Sequence, residues 1–124
     1  MRVYMTNGFA KFRKKERIAA SALDDAVARA ETGLVDADLG GGLIKQRVAR
    51  PGRGKSGGYR TVIAYRRGAR AVFLYGFAKS DKDNIGSADL EALKAYGRLY
   101  LEFSAARIGS AVKAGVRQEL NEDG

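Results

Sequence analysis

Histidine and cysteine are both absent from this 124-residue sequence, and each absence removes a class of chemistry. Without histidine there is no imidazole to act as a general base near neutral pH or as a metal ligand. Ser-His-Asp triads, Cys-His pairs and histidine-based zinc sites are therefore excluded. Without cysteine there is no disulfide framework and no thiolate nucleophile. Any catalysis must use lysine, arginine, tyrosine or carboxylate side chains, and we expect no cofactor and no metal site.

Long hydrophobic runs are missing as well. No apolar stretch approaches the ~18 residues of a membrane span. The N-terminus, MRVYMTNGFAKFRKK, turns strongly basic after a few apolar residues, which is the wrong order for a signal peptide. These features predict a cytoplasmic protein with no membrane partner. The length predicts one domain, over residues 1–108, with a C-terminal extension at 109–124 that forms a short helix or a mobile tail.

Negative charge is missing from the middle of the chain, although the net charge of the whole chain is +9. Residues 39–80 contain no acidic residue and ten basic ones: Lys45, Arg47, Arg50, Arg53, Lys55, Arg60, Arg66, Arg67, Arg70 and Lys79. Ordinary protein surfaces intersperse the two signs. A segment with charge of one sign therefore predicts a polyanionic or acidic partner.

Hydrophobic periodicity predicts seven elements in the order β-α-α-β-β-β-α. Strands are expected at 2–6, 43–49, 59–67 and 71–78, two helices or one bent helix at about 8–32, a loop at 34–42, and a last helix from Ser87. Three strands in succession favour an antiparallel meander. The prediction is an α+β protein with a small antiparallel sheet and helices packed on one face.

The stretch RPGRGKSGGYR, residues 50–60, contains a G-x-G-x-x-G spacing and the Gly-Lys-Ser of a P-loop. Both nucleotide-binding motifs require a helix directly after the glycines. A period-two β pattern follows here instead, and Ala49 occupies the position of the first P-loop glycine. We interpret the stretch as a hairpin loop whose Arg50, Arg53 and Lys55 contact the phosphate backbone of RNA.

The segment GGGLIKQRVARPGRGKSGGYRTVIAYRRGARAVFLYGFAKSDKDNI, residues 40–85, resembles the RelE/ParE superfamily of type II toxin–antitoxin toxins. It is most similar to the RelE branch with a Gly-Lys-x-Gly-Gly-x-Arg loop, which includes toxins of the HigB kind. The resemblance implies a RelE-like fold and a metal-independent endoribonuclease that cleaves mRNA in the ribosomal A site. It also implies contact with rRNA, inhibition of translation, and a cognate antitoxin as partner.

The same resemblance assigns the catalytic surface to Lys45, Arg47, Arg60 and Lys79. Two positions depart from the family pattern. Ser80 stands where several RelE proteins have another arginine, and Gly86 lies near the place of a C-terminal tyrosine. The general acid therefore stays open between Lys79 and a tyrosine, and four tyrosines are candidates: Tyr59, Tyr65, Tyr75 and Tyr96.

RNA cleavage without metal uses the 2′-OH as nucleophile, a base beside it, cations at the phosphorane and an acid at the leaving 5′-oxygen. Lys45 is the candidate base, because neighbouring cations disfavour its protonated amine. Arg60 presents a planar fork to the phosphate, and Arg47 adds charge. Since Lys45 and Arg47 are i and i+2 on a strand, they share a face that Arg60 could join.

Other interpretations of these residues stay open. Lys45 and Arg47 could form the solvated outer face of a sheet, and Arg60 could form a surface ion pair. At the level of function, a ParE-like inhibitor of DNA gyrase and a plain nucleic-acid-binding module are the alternatives. The latter would bind in a strongly salt-dependent manner without cleavage.

Overall fold

The computed structural model describes residues 1–50, 58–78, 85–108 and 117–119. Within these ranges the chain forms six strands and three helices. Their bounds in chain order are β1 Arg2–Thr6, α1 Asn7–Glu16, α2 Ala20–Glu31, β2 Ala37–Gly40, β3 Leu43–Val48, β4 Tyr59–Arg66, β5 Arg70–Ala78, α3 Ser87–Glu102 and β6 Arg117–Glu119. The α+β class is confirmed.

The described strands form one sheet in the order β2-β3-β4-β5-β1-β6. The predicted antiparallel meander is confirmed from β3 to β5, and β2 extends it by one antiparallel strand. β1 pairs in parallel with β5, so the sheet as a whole is mixed. Parallel strands need a long crossover, and here the whole chain from α1 to β4 makes it. β6, from the predicted C-terminal extension, pairs antiparallel with β1.

Two strands were missed by the sequence analysis: β6, in the predicted C-terminal extension, and β2. The predicted loop at 34–42 contains β2, which pairs with β3 at the edge of the sheet. Asp and Gly are depleted in strands, and the four residues ADLG show no strand signal of their own. The strand forms because β3 offers an unpaired edge, which is a tertiary cause.

The two faces of the sheet are covered by different helices. The face that carries Tyr59 and Ile63 packs against α1 and α2 in one apolar cluster, in which the Phe9 and Phe73 ring centroids are 5.0 Å apart. We call it the helix-pair face. The contacts of α1 and α2 with it confirm the predicted packing of helices against one face. The opposite face, which carries Arg60 and Val62, packs against α3 in a second cluster. We call it the α3 face.

Gly97 lets α3 lie close to the sheet. A Cβ at this position would be 2.4 Å from Leu43 Cδ1 and 3.4 Å from the Ala64 Cβ. Leu43 and Ala64 are partners in the β3–β4 ladder, at the end of the α3 face far from Arg47 and Arg60. α3 therefore covers one end of this face, and the basic residues occupy the other end.

A hydrogen-bonded lock joins α2 to the β4–β5 hairpin on the helix-pair face. The Tyr65 hydroxyl donates to Glu31 Oε2, and the Gly68 amide donates to the same carboxylate at 3.2 and 3.0 Å. These two donors, Tyr65 first, lower the pKa of Glu31 below its ordinary value. Desolvation and then the bond to Glu31 raise the pKa of Tyr65 to about 12. Tyr65 is therefore a protonated structural group at neutral pH.

Because Tyr65 donates to Glu31, we expect the wild type and Tyr65→Phe to lose different amounts of stability at acid pH. A lowered carboxyl pKa contributes stability above its unfolded value of 4.5 and loses it as pH falls through the folded pKa. Without the hydroxyl, the Glu31 pKa returns toward 4.5. We expect the melting temperature of Tyr65→Phe to fall less than that of the wild type between neutral pH and pH below 4.5. Equal falls in melting temperature in both proteins would contradict a stabilising hydrogen bond between Tyr65 and Glu31.

Candidate functional site

Lys45, Arg47 and Arg60 lie on the α3 face. Lys45 and Arg47 alternate with the buried Gln46 along β3, so they point to the same side. In the β3–β4 ladder Arg47 is the partner of Arg60, and Lys45 is the partner of Val62. The structure thus brings three of the predicted catalytic residues together on neighbouring strands.

Arg47 and Arg60 are a cross-strand pair of the type in which the two Cα atoms lie closer together. The backbone amide and carbonyl of Arg47 bind partners on the side away from β4, namely the side chains of Asp36 and Arg29. The pair with Arg60 is therefore a non-hydrogen-bonded pair, in which Cα atoms are about 4.5 Å apart and side chains are closest. The side chains of both arginines therefore extend from adjacent positions on the same face of the sheet.

Arg60 has an unsatisfied polar atom. Its Nη1 is buried without a hydrogen-bond partner in the described part of the structure, while the residue as a whole is half-buried. A buried donor on a charged group that lacks a partner costs at least about 1–3 kcal/mol. Such a donor is an observation that points to a ligand acceptor, since native structures rarely leave one unpaired.

Arg47 differs from Arg60 because a carboxylate lies beside it. Arg47 Nη2 is 4.0 Å from Asp36 Oδ1, with both side chains about one-third exposed. For Lys45, which is half-buried, the described residues supply no ion pair. Within the described residues, no carboxylate pairs with Arg60, and none of the three side chains is paired in the interior.

The other predicted residues lie elsewhere or outside the described ranges. The Arg50 guanidinium carbon is 5.4 Å from the centroid of the Tyr59 ring. Tyr59 belongs to the helix-pair face, so Arg50 is not brought to the cluster on the α3 face. Arg53, Lys55 and Lys79 fall outside the described residues, and their roles stay predictions.

Three of the four candidate tyrosines are placed away from the cluster. Tyr59 and Tyr65 lie on the helix-pair face, where their hydroxyls donate to Glu16 and Glu31. Tyr96 is exposed on α3. Tyr75 is the ladder partner of Val62 on β5, on the same face as Lys45 and Arg60. Its ring centroid is 5.8 Å from that of Phe77, the ladder partner of Arg60.

Two polar residues that support this site were missed by the sequence analysis: Gln46 and Asp36. Gln46 is fully buried, and its amide donates to the carbonyls of Ala26 and Leu34 and accepts from the amide of Asp36. A signal for Gln46 was present, since a polar residue between Ile44 and Val48 on a buried face requires partners. No comparable signal marked Asp36.

Not every basic residue of the acid-free segment contributes to the site. Arg70 Nη1 donates to the carbonyls of Tyr100 at 2.8 Å and Phe103 at 2.7 Å, at the end of α3. A cation at a helix C-terminus satisfies free carbonyls and complements the helix dipole. Arg70 is therefore a cap for α3.

Membrane and metal features were also sought in the described ranges. None of the helices there has the length and hydropathy needed to span a bilayer. The same residues contain no cluster of three or more acidic side chains placed to ligate a metal ion.

Comparison with known proteins gives one family. No curated protein matched the chain. A family model described as the RelE toxin of the RelE/RelB toxin–antitoxin system matches residues 1–120. The match covers nearly the whole chain, including β1, the basic cluster, α3 and β6. The chain therefore belongs to the RelE toxin family, and its expected partner is an antitoxin.

Proposed function

We propose that this toxin is a metal-independent endoribonuclease that cleaves mRNA on the ribosome. The observation that carries the proposal is Arg60, whose buried Nη1 has no partner among the described residues and lies on a face shared with Lys45 and Arg47. A phosphate oxygen is an acceptor that suits a planar guanidinium fork, and such pairs are often bidentate. The acid-free sequence around Arg60 leaves this charge available to a polyanion.

The proposed reaction is attack of a ribose 2′-OH on the adjacent phosphate. The bond from the 2′-oxygen to phosphorus forms, and the bond from phosphorus to the 5′-oxygen breaks, leaving a cyclic phosphate and a 5′-hydroxyl. The proton of the 2′-OH passes to a base, and the 5′-oxygen receives a proton from an acid. Negative charge that develops on the phosphorane is stabilised by fixed cations.

The described residues suggest a division of these roles. Arg60, with Arg47 beside it, binds the phosphate and stabilises the phosphorane. Lys45, which shares their face without an ion pair in the described residues, is the proposed base. The acid is Lys79 or Tyr75, the tyrosine whose ladder position is on the same face. Arg50, Arg53 and Lys55 are proposed to contact the RNA backbone outside the cleaved bond.

A translation assay tests this function. Purified toxin is added to programmed ribosomes, and mRNA 3′ ends are mapped with and without EDTA. We expect cleavage that requires the ribosome and persists in EDTA, and the antitoxin should suppress it. Inhibition of gyrase supercoiling without any mRNA cleavage would instead indicate the ParE-like alternative. Salt-dependent RNA binding without cleavage would indicate a plain binding module.

The role of Lys45 is tested by two substitutions. Lys45→Arg keeps the positive charge but cannot supply a neutral amine, whereas Lys45→Met removes both. If Lys45 is the base, both variants should lose activity by a factor of about 10²–10⁴ in single-turnover cleavage. If Lys45 supplies charge alone, Lys45→Arg should retain most of the wild-type rate. That result would exclude the base role while leaving the nuclease function intact.

A further inference from the structure

We propose that Asp36 is a positioning residue for Arg47, and that it sets the orientation of the Arg47 guanidinium in the basic cluster. The inference rests on the proposed cleavage function, because orientation of Arg47 matters only if Arg47 acts on RNA. Asp36 lies just before β2, outside the acid-free segment, and no motif marks it.

The Asp36 side chain takes the place of a β2 residue as hydrogen-bond partner of the Arg47 backbone. β2 begins at Ala37, which pairs with Lys45, so β2 has no residue opposite Arg47. The Arg47 amide instead donates to Asp36 Oδ2 at 2.6 Å. The Arg47 carbonyl accepts from Arg29 Nη2 on α2. Two side chains thus complete the β-ladder at this position and hold the Arg47 backbone in strand geometry.

The same carboxylate also approaches charged side chains. Asp36 Oδ1 is 4.0 Å from Arg47 Nη2, and Asp36 Oδ2 is 3.9 Å from Arg29 Nη1. These partly exposed ion pairs add little to stability. Their effect is geometric, because one carboxylate contacts both the backbone and the side chain of Arg47 and so favours one direction for the guanidinium.

Electrostatics explain why Arg47 needs this contact. Arg47 and Arg60 are direct cross-strand partners, and like charges in that position repel. A carboxylate beside Arg47 offsets the repulsion and draws its guanidinium toward the β2 edge. Arg60 Nη1 stays without a partner in the described part of the chain. The pair therefore becomes unequal, with one arginine held in place and the other left to bind phosphate.

A partly buried hydrogen bond to Gln46 holds the Asp36 backbone, and Gln46 is itself held by two further hydrogen bonds. The Asp36 backbone amide donates to Gln46 Oε1 at 2.8 Å, and Gln46 Nε2 donates to the Ala26 carbonyl at 2.9 Å and the Leu34 carbonyl at 3.1 Å. Gln46 is fully buried. Since Gln46 lies between Lys45 and Arg47 in β3, the strand that carries the cluster also fixes the residue that orients it.

The proposal is tested with Asp36→Asn in the translation assay described above. Asparagine keeps a carbonyl oxygen for the Arg47 amide but removes the charge. We expect kcat for mRNA cleavage to fall about 10-fold with little change in KM, less than the ~100-fold that a 1 Å misplacement can cost. In an Arg47→Ala background, Asp36→Asn should have no further effect, because its target is gone.

The matched control is Asp38→Asn, which removes an equal charge two residues away. Asp38 Oδ1 accepts from the Gly40 amide at 2.9 Å, within β2. Its kcat should equal that of the wild type. The proposal is overturned if Asp36→Asn behaves like Asp38→Asn, or if the losses from Asp36→Asn and Arg47→Ala multiply, as two independent structural defects would.

Failure of the underlying function gives a different pattern. If the wild type does not cleave mRNA, or if Arg47→Ala retains full activity, the proposed role of Arg47 is refuted. The proposed role of Asp36 is then refuted as well, because it acts through Arg47. If the wild type cleaves, Arg47→Ala is impaired and Asp36→Asn multiplies with it, only the positioning role is overturned.

Discussion

Arg60→Ala is expected to lower the single-turnover rate of mRNA cleavage by about 10²–10³-fold, the range found when one oxyanion-stabilising donor is removed. Growth arrest on expression should disappear with it. The fold should tolerate the change, because the lost Nη1 makes no hydrogen bond to any residue within 1–50, 58–78, 85–108 and 117–119. We expect the free energy of unfolding to change by less than about 1 kcal/mol. Arg60→Lys should recover charge but not the two-pronged phosphate contact.

Arg66→Ala is the matched control for this prediction. Arg66 belongs to the same strand, β4, but is exposed at the hairpin end, opposite Arg70. It removes the same charge from the chain without touching the cluster, and its cleavage rate should stay near that of the wild type. An Arg60→Ala protein as toxic as the wild type would refute the assigned phosphate contact. A similar loss in both variants would mean that overall positive charge matters and this cluster does not.

Gly58→Ala is expected to damage both stability and activity. A Cβ at Gly58 would lie 2.7 Å from the Val48 carbonyl oxygen and 3.6 Å from Arg47 Cγ. Because the first contact is with backbone, no side-chain rotation relieves it, and β3 and β4 must separate at this end. Strain of this kind typically costs about 1–3 kcal/mol. The Arg47–Arg60 pair is close by, so its displacement by about 1 Å should lower cleavage by about 100-fold.

Gly8→Ala serves as the control for Gly58→Ala. Gly8 lies exposed in α1, and the nearest heavy atom to an added Cβ is Thr6 Oγ1 at 4.0 Å. Alanine favours a helix over glycine by up to about 1 kcal/mol, so Gly8→Ala should be neutral or stabilising, with unchanged activity. Chemical denaturation and the cleavage assay measure both effects. Wild-type stability and activity in Gly58→Ala would show that the strand ends can move without consequence for the cluster.

Most of the fold could be predicted from local patterns. The alternation in β3 placed Lys45 and Arg47 on one face that Arg60 could join, and the ladder pairs Arg60 with Arg47 on that face. The period of side chains in a strand is two whatever the surroundings, so facing is readable from sequence. The edge strand β2 was not predictable in this way, since its residues have weak strand propensity and pair only because β3 is adjacent.

The choice among tyrosines shows the same limit. Tyr59, Tyr65, Tyr75 and Tyr96 were equivalent candidates in the sequence. Contacts with Glu16 and Glu31 assign two of them to the helix-pair face, and exposure on α3 separates a third. Those carboxylates lie 43 and 34 residues away along the chain. No pattern within a strand or helix records a partner at that distance.

By itself the sequence determined the chemical class of this protein: a basic, histidine-free and cysteine-free α+β chain with its cations gathered on successive strands. Composition and side-chain periodicity are local properties, and they need no knowledge of what packs against what. Only the tertiary structure decided that, among the residues it describes, Arg47 has a carboxylate beside it while Arg60 has a donor without a partner. That asymmetry depends on the position of Asp36 beside β3. Buried Gln46 sets this position, because it accepts from the Asp36 amide and donates to the Ala26 carbonyl of α2.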